Sequence, residues 1–444
     1  MRVAIRKLLW TLVIVAGLLA AALATPFLVP LSGYIPELTR LVSERIGEPV
    51  SIKGLRLQLL PTPRVVIVGL KLGRRDEVSI ERGSIVPDLT LLLSGEKAIR
   101  VVFADKVRIK DSALDLLGKL SKGGGGSGGI LVRRIVLRRV MFELRALKLP
   151  PLNVTVDLGP TPAATVAHLA SDDGRLRATL TPQGGGRSRL MIKARNWHLP
   201  IPTAPLYFDS LDARGVLDSG QLDLPEVNGR LYGGTLTGSV DTRWGRDWRI
   251  AGSAQIDGVE MVPLQAALGK PARLSGRLSA RASYSASART AGLLRSALVL
   301  DAPFEVSGGE WHGVDLSRAA ELPLGKLSKG GTTKFETFKG NLALRGRHID
   351  VTKICVRSPS LTAGGKLAIA PDKTLSGRLD VSVSKTGGLI GAPMALSGTT
   401  SDPTLSLTKS AAIGAVIGTV LLPGIGTSLG LSAGGSFGGS AGCK

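Results

Sequence analysis

The chain has little of what marks a catalyst or a thick globular core. Aromatic residues make up 4% of its 444 residues and there are two cysteines and four histidines. Two cysteines exclude a disulfide-rich scaffold, and Cys355 and Cys443 have no metal-ligand spacing, so Cys355 reads as a buried, inert thiol. His168, His198, His312 and His348 lie far apart, and none falls in a metalloprotease or deaminase pattern. The repeated "LGKLSKGG" (117–124 and 324–331) fails as a phosphate loop, because Gly123 and Gly330 are followed by glycine where Lys and a hydroxyl residue are needed. "SDDG" (171–174) lacks the spacing and the glutamate of a calcium loop. No convergent acid, base or nucleophile is visible, so neither an enzyme nor a cofactor or metal is expected, and no small-molecule substrate.

What is present is positive charge, glycine and alternation. The formal charge is +23, with 57 glycines. Such a chain is drawn to something anionic: a nucleic acid, a phospholipid headgroup or an acidic polymer. The basic residues are spread singly along strand-like segments such as "KVRIKDS" (106–112), with one denser stretch, "RRIVLRR" (133–139). Single-stranded nucleic acid would call for interleaved aromatics, which are scarce, so nucleic acid is not the expected partner.

Alternation is strongest in "ARLSGRLSARASYSASART" (272–290). Leu274, Leu278, Ala280, Ala282 and Tyr284 share one parity with further Ala and Gly, while the other parity holds Ser and Arg alone. A strand turns successive side chains to opposite faces, so this reads as one strand of roughly 55 Å with a greasy and a wet side. The greasy side is mostly Ala, which fills little volume, and the expectation is that something other than protein covers it. Val107 and Ile109 alternate with Lys106, Arg108 and Lys110; Leu375, Leu379, Val381 and Val383 oppose Ser376, Arg378, Asp380, Ser382 and Ser384. These eleven apolar residues are the candidate lining of a groove.

The N-terminus carries the longest apolar run. After Arg2, Arg6 and Lys7, residues 8–36 hold no charge, enough for a membrane helix from about Leu8 to Leu28, with the rest of the chain on the far side by the positive-inside rule. "ALA" (22–24) also fits a signal-peptidase site, so a retained anchor and a cleaved signal are both open, and either exports the chain. "IPELTRLVSERIGEPV" (35–50) then reads as a short amphipathic helix with Pro36 in its first turn and Gly47 ending it. A helical turn is expected at 86–97.

This order of anchor, short helix, "SIKGLRLQLLPTPRVVIVGLKLG", a "LLLSGE" turn and paired strands resembles the AsmA family. The resemblance resumes at "FDSLDARGVLDSGQLDLPEVNGRLYGGTLTGSVDTRW" (208–244), "FEVSGGEWHGVDL" (304–316) and "TTKFETFKGNLALRGRHIDVTKICVRSPSLTAGGKLAIA" (332–370). The family pattern falls on Gly308, Gly309, Gly313, Asp315 and Leu316, then Thr333, Phe335 and Gly340, then Gly364 and Gly365, with Gly309, Gly313, Gly340, Gly364 and Gly365 as structural turns. The resemblance implies a bacterial inner-membrane protein, single-pass with its N-terminus cytoplasmic and its bulk periplasmic. Its implied fold is mainly β, an elongated, curled antiparallel trough with a few short helices. Its implied partners are phospholipid and the inner membrane.

The organisation expected is a basic stub and anchor (1–36), an N-terminal helix and strands (37–115), a Gly-rich linker (116–129), a middle β region (130–206), a C-terminal β region (207–408) and an apolar tail (409–444). In the tail, Gly426, Gly430, Gly434 and Gly438 recur every four residues, a smooth seam if helical in a membrane. A membrane or interface hairpin, a flexible glycine tail and a plug over the trough are all open for it, and it is a candidate contact with other envelope proteins. Three functions stand: a lipid carrier or envelope-assembly factor, which is favoured; a basic binder of an anionic polymer or nucleic acid; and an enzyme, for which no site is seen.

Overall fold

The computed structural model describes residues 35–88, 98–110, 131–143, 148–159, 164–201, 204–218, 220–320, 329–385 and 388–408, with Gly33, Leu91, Ser112, Ala113, Thr161 and Cys443. The predicted anchor, the linker, most of the 86–97 turn and the glycine seam of the tail lie outside these residues. Among the described residues no helix is long and apolar enough to cross a membrane. The chain divides into two compact units, Met1–Ile192 with Leu217–Ser219, and Lys193–Val216 with Gly220–Lys444. Both are mainly β.

Unit 1 opens with α1 (Ile35–Ile46), where predicted. Gly47 closes it, its N–H donating to Ser43 O at 2.8 Å. Val42 packs on the core, whereas Leu38, one turn earlier, is 37% exposed. Strands β1 (Val50–Ser51) and β2 (Gly54–Gln58) both pair with β3 (Arg64–Leu72), followed by β4 (Val78–Pro87) and β5 (Ala98–Lys110), all antiparallel. The next pair departs from the expected all-antiparallel order: β6 (Leu131–Glu143) runs parallel to β5. A parallel neighbour needs a crossover of a dozen or more residues, and 111–130 supplies that length. β7 (Leu152–Asp157), β8 (Val166–Ser171) and β9 (Leu176–Gly184) then continue antiparallel, and β10 (Arg187–His198), whose residues from Lys193 on belong to unit 2, pairs with β9. Val50, Leu72, Val78, Ala104, Val107, Ile109 and Val140 form the core of this unit.

In unit 2, β11 (Tyr207–Leu217), β12 (Gln221–Leu231), β13 (Gly234–Arg243), β14 (Trp248–Glu260) and β15 (Arg277–Ala288) are followed by β16 (Val299–His312) and β17 (Thr332–Arg345). β18 (His348–Ser358), β19 (Leu361–Ile369), β20 (Leu375–Lys385), β21 (Gly388–Gly398) and β22 (Pro403–Leu407) complete it. From β12 onward each strand pairs antiparallel with the next. Two short helices interrupt the order, α2 (Met261–Ala267) and α3 (Leu316–Ala320).

Strands this long keep one face apolar only by re-phasing. Lys106, Arg139 and Lys353 have φ of 53°, 51° and 52° inside their strands. The register slips beside two of them, between Leu137 and Val140 and between Val351 and Ile354. Each is a bulge, where one extra residue restores the apolar side chains beyond it to the same face. In β18, Ile349 and Val351 precede the bulge, and Ile354 and Val356 follow it, all on the core side.

Unit 2 curls. In a flat sheet, β16 and β21 would lie roughly 24 Å apart at about 4.8 Å per strand. Yet Arg273, whose carbonyl accepts the N–H of His312 at the end of β16, donates from Nη2 to Ser401 O in the β21–β22 turn at 2.7 Å. Lys329 meets Asp402 of the same turn at 2.7 Å. The curl encloses α3, whose Leu316 is fully buried. Around it lie Val306, Phe335, Phe338, Ile354, Val356, Leu379, Val381, Met394 and Leu405.

On the outer side of unit 1 an ion ladder crosses three strands. Lys106 meets Glu81 at 2.8 Å, and Arg139 grips Asp105 through two bonds, one of 2.9 Å. The Lys106 hydrogen bond holds the Glu81 carboxyl below its ordinary range, and Arg139 does the same to Asp105. Both folded values lie below the unfolded ones, so the stabilisation is complete above about pH 5 and is lost as pH falls through the folded values below about pH 4. Melting temperature should therefore drop on acidification across that window, and in Asp105→Asn the drop should be smaller, as thermal scans at several pH values would show.

Candidate functional site: the apolar face of unit 2

Following the register from strand to strand brings single residues into rows on one face. One row is Val259, Leu278, Val306, Phe338, Val356, Ala363 and Val381, on β14 to β20. Except for the partly buried Leu278, all of these are buried. Nearer the other end of the same strands runs a second row: Val240, Gly252, Tyr284, Leu300, Leu344, Ile349, Ile369 and Leu375, on β13 to β20. Every member of this row is half-buried. The apolar surface is thus continuous, but protein covers only one end of it.

Few aromatics are available, and the sheet uses them against glycine. Tyr284 lies over its cross-strand partner Gly252, where a Cβ would sit 2.8 Å from the ring Cζ. This lets its hydroxyl donate to Ser239 O at 2.9 Å, and burial pushes the phenol pKa up. Phe304 covers Gly340 at 3.0 Å, and Phe335 covers Gly309 at 2.8 Å, in the same sense. Phe304, Phe335 and Trp311 all pack on Phe338, with ring centres 5.4 to 5.8 Å apart.

The residues of the family pattern meet at the covered end. Asp315 caps α3, its Oδ1 accepting the N–H of Arg318 at 2.9 Å. Thr333 is 5% exposed; its hydroxyl donates to Val314 O at 2.8 Å and accepts from Leu316 N–H at 3.0 Å, so the buried hydroxyl is met both as donor and as acceptor. Gly313, at φ 87°, makes the turn from β16 into this junction, its N–H donating to Gly331 O at 2.8 Å. Four of the five expected turn glycines are instead inside strands: Gly309 in β16, Gly340 in β17, and Gly364 and Gly365 in β19. Gly309 and Gly340 are needed for the rings above them, and Gly365 for a backbone approach to Arg378 O that leaves no room for a Cβ.

The expected groove residues separate into two groups. Val107 and Ile109 belong to the unit 1 core, 3% and 8% exposed. Leu379, Val381 and Val383, at 0%, 1% and 4%, belong to the core around α3, and are therefore not on an open face. Protein covers them because the sheet closes over α3, which strand alternation cannot reveal. Leu274 packs on that core from an isolated bridge to Trp311, and Leu278 packs beside it. Ala280, Ala282, Tyr284 and Leu375 remain half-buried on the continuous face. Leu300, Leu344, Ile349 and Ile369 join them and were not singled out from sequence, although each sits in an alternating strand.

The long strand expected at 272–288 is shorter. β15 begins at Arg277, because Gly276 adopts φ 111° and accepts the N–H of Met261 through its carbonyl at 3.0 Å. Gln265 of α2 holds the segment before it, its Oε1 accepting from the N–H groups of Arg273 and Leu274 at 3.1 and 3.2 Å.

Cys355 is not a free thiol. It is bonded to Cys443, 88 residues on, with Cα atoms 5.1 Å apart. Ile354 and Val356 face the core, so Cys355 points to the outer side, and there Arg357 Nη2 also donates to Cys443 O at 2.7 Å. The sequence separation hid the pairing, since nothing local marks a residue of the tail as returning to β18. Among the described residues, no group of three or more His, Cys, Asp or Glu could hold a metal ion.

Residues 202–349 match the model of the AsmA family, so the family likeness read from the sequence is shown over that stretch. It contains β11 to β17 and therefore most of the half-covered row. No curated protein and no solved structure gives a match.

Two outcomes follow from this geometry. Gly252→Val should cost about 2 kcal/mol by driving the Tyr284 ring off its seat, whereas Gly292→Ala, with open space around it, should change stability by under about 0.5 kcal/mol in chemical denaturation. Cys355→Ser should lower the melting temperature by several degrees under oxidising conditions, as expected for opening a loop worth roughly 4 kcal/mol. A reductant should reproduce that loss in the parent protein and leave the variant unchanged.

Proposed function

We propose that the half-covered face of unit 2 holds the acyl chains of phospholipid, and that the protein supports lipid transport or outer-membrane maintenance from a single-pass anchor in a bacterial inner membrane. The observation that carries this is the row from Val240 to Leu375, eight half-buried positions on eight consecutive strands. Acyl chains can lie on such a surface without stranding a polar group, and their burial contributes about 25 cal/mol per Å². The family match supports the reading, as does the Cys355–Cys443 bridge, since structural disulfides persist in oxidising compartments such as the periplasm. The role is non-catalytic in this reading: the protein binds and positions a lipid and changes no bond.

A photo-crosslinking amino acid at Leu300 or Leu344 should give phosphate-containing adducts in cells, detectable by mass spectrometry of the isolated protein, whereas the same probe at Ser285 or Arg345 on the wet face should not. Equal adducts on both faces, or none on the apolar face, would sink the proposal. The paired substitutions Ala282→Asp and Arg281→Asp give a second reading of the same strand. On an open face the first should leave the empty protein folded yet abolish the adducts, and the second should leave both intact.

A further inference from the structure

At the end of unit 2 where the half-covered row lies, the strand connections come together, and four of them carry exposed cations that meet no carboxylate among the described residues. They are the β13–β14 turn (244–247), the 289–298 segment, the β17–β18 turn at Gly346–Arg347 and the β19–β20 turn (370–374). The pairs Arg243↔Arg249, Ser285↔Val299, Arg345↔His348 and Ile369↔Leu375 put them at the same end of their ladders. Bonds tie them together: Gly346 N–H donates to Leu298 O at 2.7 Å, and Arg347 Nη2 to Pro371 O at 3.4 Å. Trp244 and Trp248 stack there with ring centres 6.0 Å apart.

These connections expose Arg246, Arg289, Arg295, Arg347 and Lys373. Arg243 and Arg345 beside them are paired to Asp241 and Asp350, but those five have no carboxylate partner among the described residues. The exposed acids at this end are Asp247, Asp372 and, in the β21–β22 turn whose Thr400 N–H donates to Lys373 O at 3.0 Å, Asp402; Asp402 is paired to Lys329 at 2.7 Å, and Asp372 is turned onto Thr374, accepting from its N–H at 3.0 Å and its hydroxyl at 2.7 Å. Set among the cations are two large apolar side chains, Leu293 at 53% and Val299 at 48% exposure. The opposite end is different, since Glu260 and Glu310 stand there among the cations and Lys334 meets Glu310 at 3.6 Å.

We propose that this end of unit 2 docks on the surface of an anionic phospholipid bilayer. The five cations meet the lipid phosphates, each worth about 1 kcal/mol near such a surface. Leu293 and Val299 sink to the depth of the upper acyl chains, and the tryptophan pair takes the interfacial position that indole favours. Nucleic acid would satisfy the cations but has no use for the exposed Leu293 and Val299. The inference goes beyond the acyl-binding reading and stands whether or not the face between the strands carries lipid.

The test reconstitutes the full chain in phosphatidylcholine vesicles and measures capture of fluorescent acceptor vesicles by flotation. Acceptors of phosphatidylcholine and phosphatidylglycerol in roughly a two-to-one ratio should be captured, and pure phosphatidylcholine should not. The combined substitutions Arg246→Ser, Arg295→Ser, Arg347→Ser and Lys373→Ser lie in exposed connections; they should leave the thermal melt unchanged and cut capture by roughly tenfold or more. Leu293→Ser with Val299→Ser should weaken the capture that persists at high salt, where charge is screened. Equal capture of neutral vesicles, full capture by the four-site variant, or displacement of the vesicles by duplex DNA with no effect of the Leu293 and Val299 changes would overturn the proposal. Lipid adducts at Leu300 are scored separately, so failure of docking and failure of acyl binding give different results.

Discussion

Everything in unit 2 depends on a strand having two faces and the backbone ladder fixing which residues share each. Once Tyr284 pairs with Gly252 and Leu300, the row from Val240 to Leu375 follows from strand to strand through the ladder. A sheet with one apolar face needs a cover. Here α3 and the curl of β16 to β22 cover one end of that face, and the other end is left half-wet along eight strands. The composition is matched to this division. Large side chains concentrate around Leu316, where density is needed, and small ones line β14 and β15.

The scarcity of aromatics has a structural counterpart. A ring placed over a strand glycine covers backbone of the neighbouring strand as well as its own position, so Tyr284, Phe304 and Phe335 each do the covering of two side chains. This explains why glycine is abundant inside strands that must also be rigid. It also explains why glycines of the family pattern could be read from sequence as turns: loss of a side chain is the signature of both a turn and a covered backbone, and only the partner strand tells them apart.

Much of the fold was legible. α1, the strand identity of nearly every alternating segment, and the two faces of β15 and β20 follow from local periodicity, which is a property of the residues themselves. What could not be read was whatever depends on distant partners. Val381 and Tyr284 alternate with polar neighbours in the same way, yet one is 1% exposed beneath α3 and the other is half-open. The parallel entry of β6, the bridge from Cys355 to Cys443, and the break at Gly276 are likewise decided by segments far along the chain.

The bulges at Arg139 and Lys353 constrain how such a chain can change in length. Removing one residue beside Lys353 would abolish the bulge and keep Ile354 and Val356 on the core side by simple alternation, whereas removing one from a strand that has no bulge would exchange core for surface over the rest of it. Adding one would do the same to strands that have no bulge. Lineages of this sequence can therefore drift freely in the lengths of their connections, but inside a strand only insertions in pairs, or an insertion together with a new bulge, preserve the face on which the next strand is built.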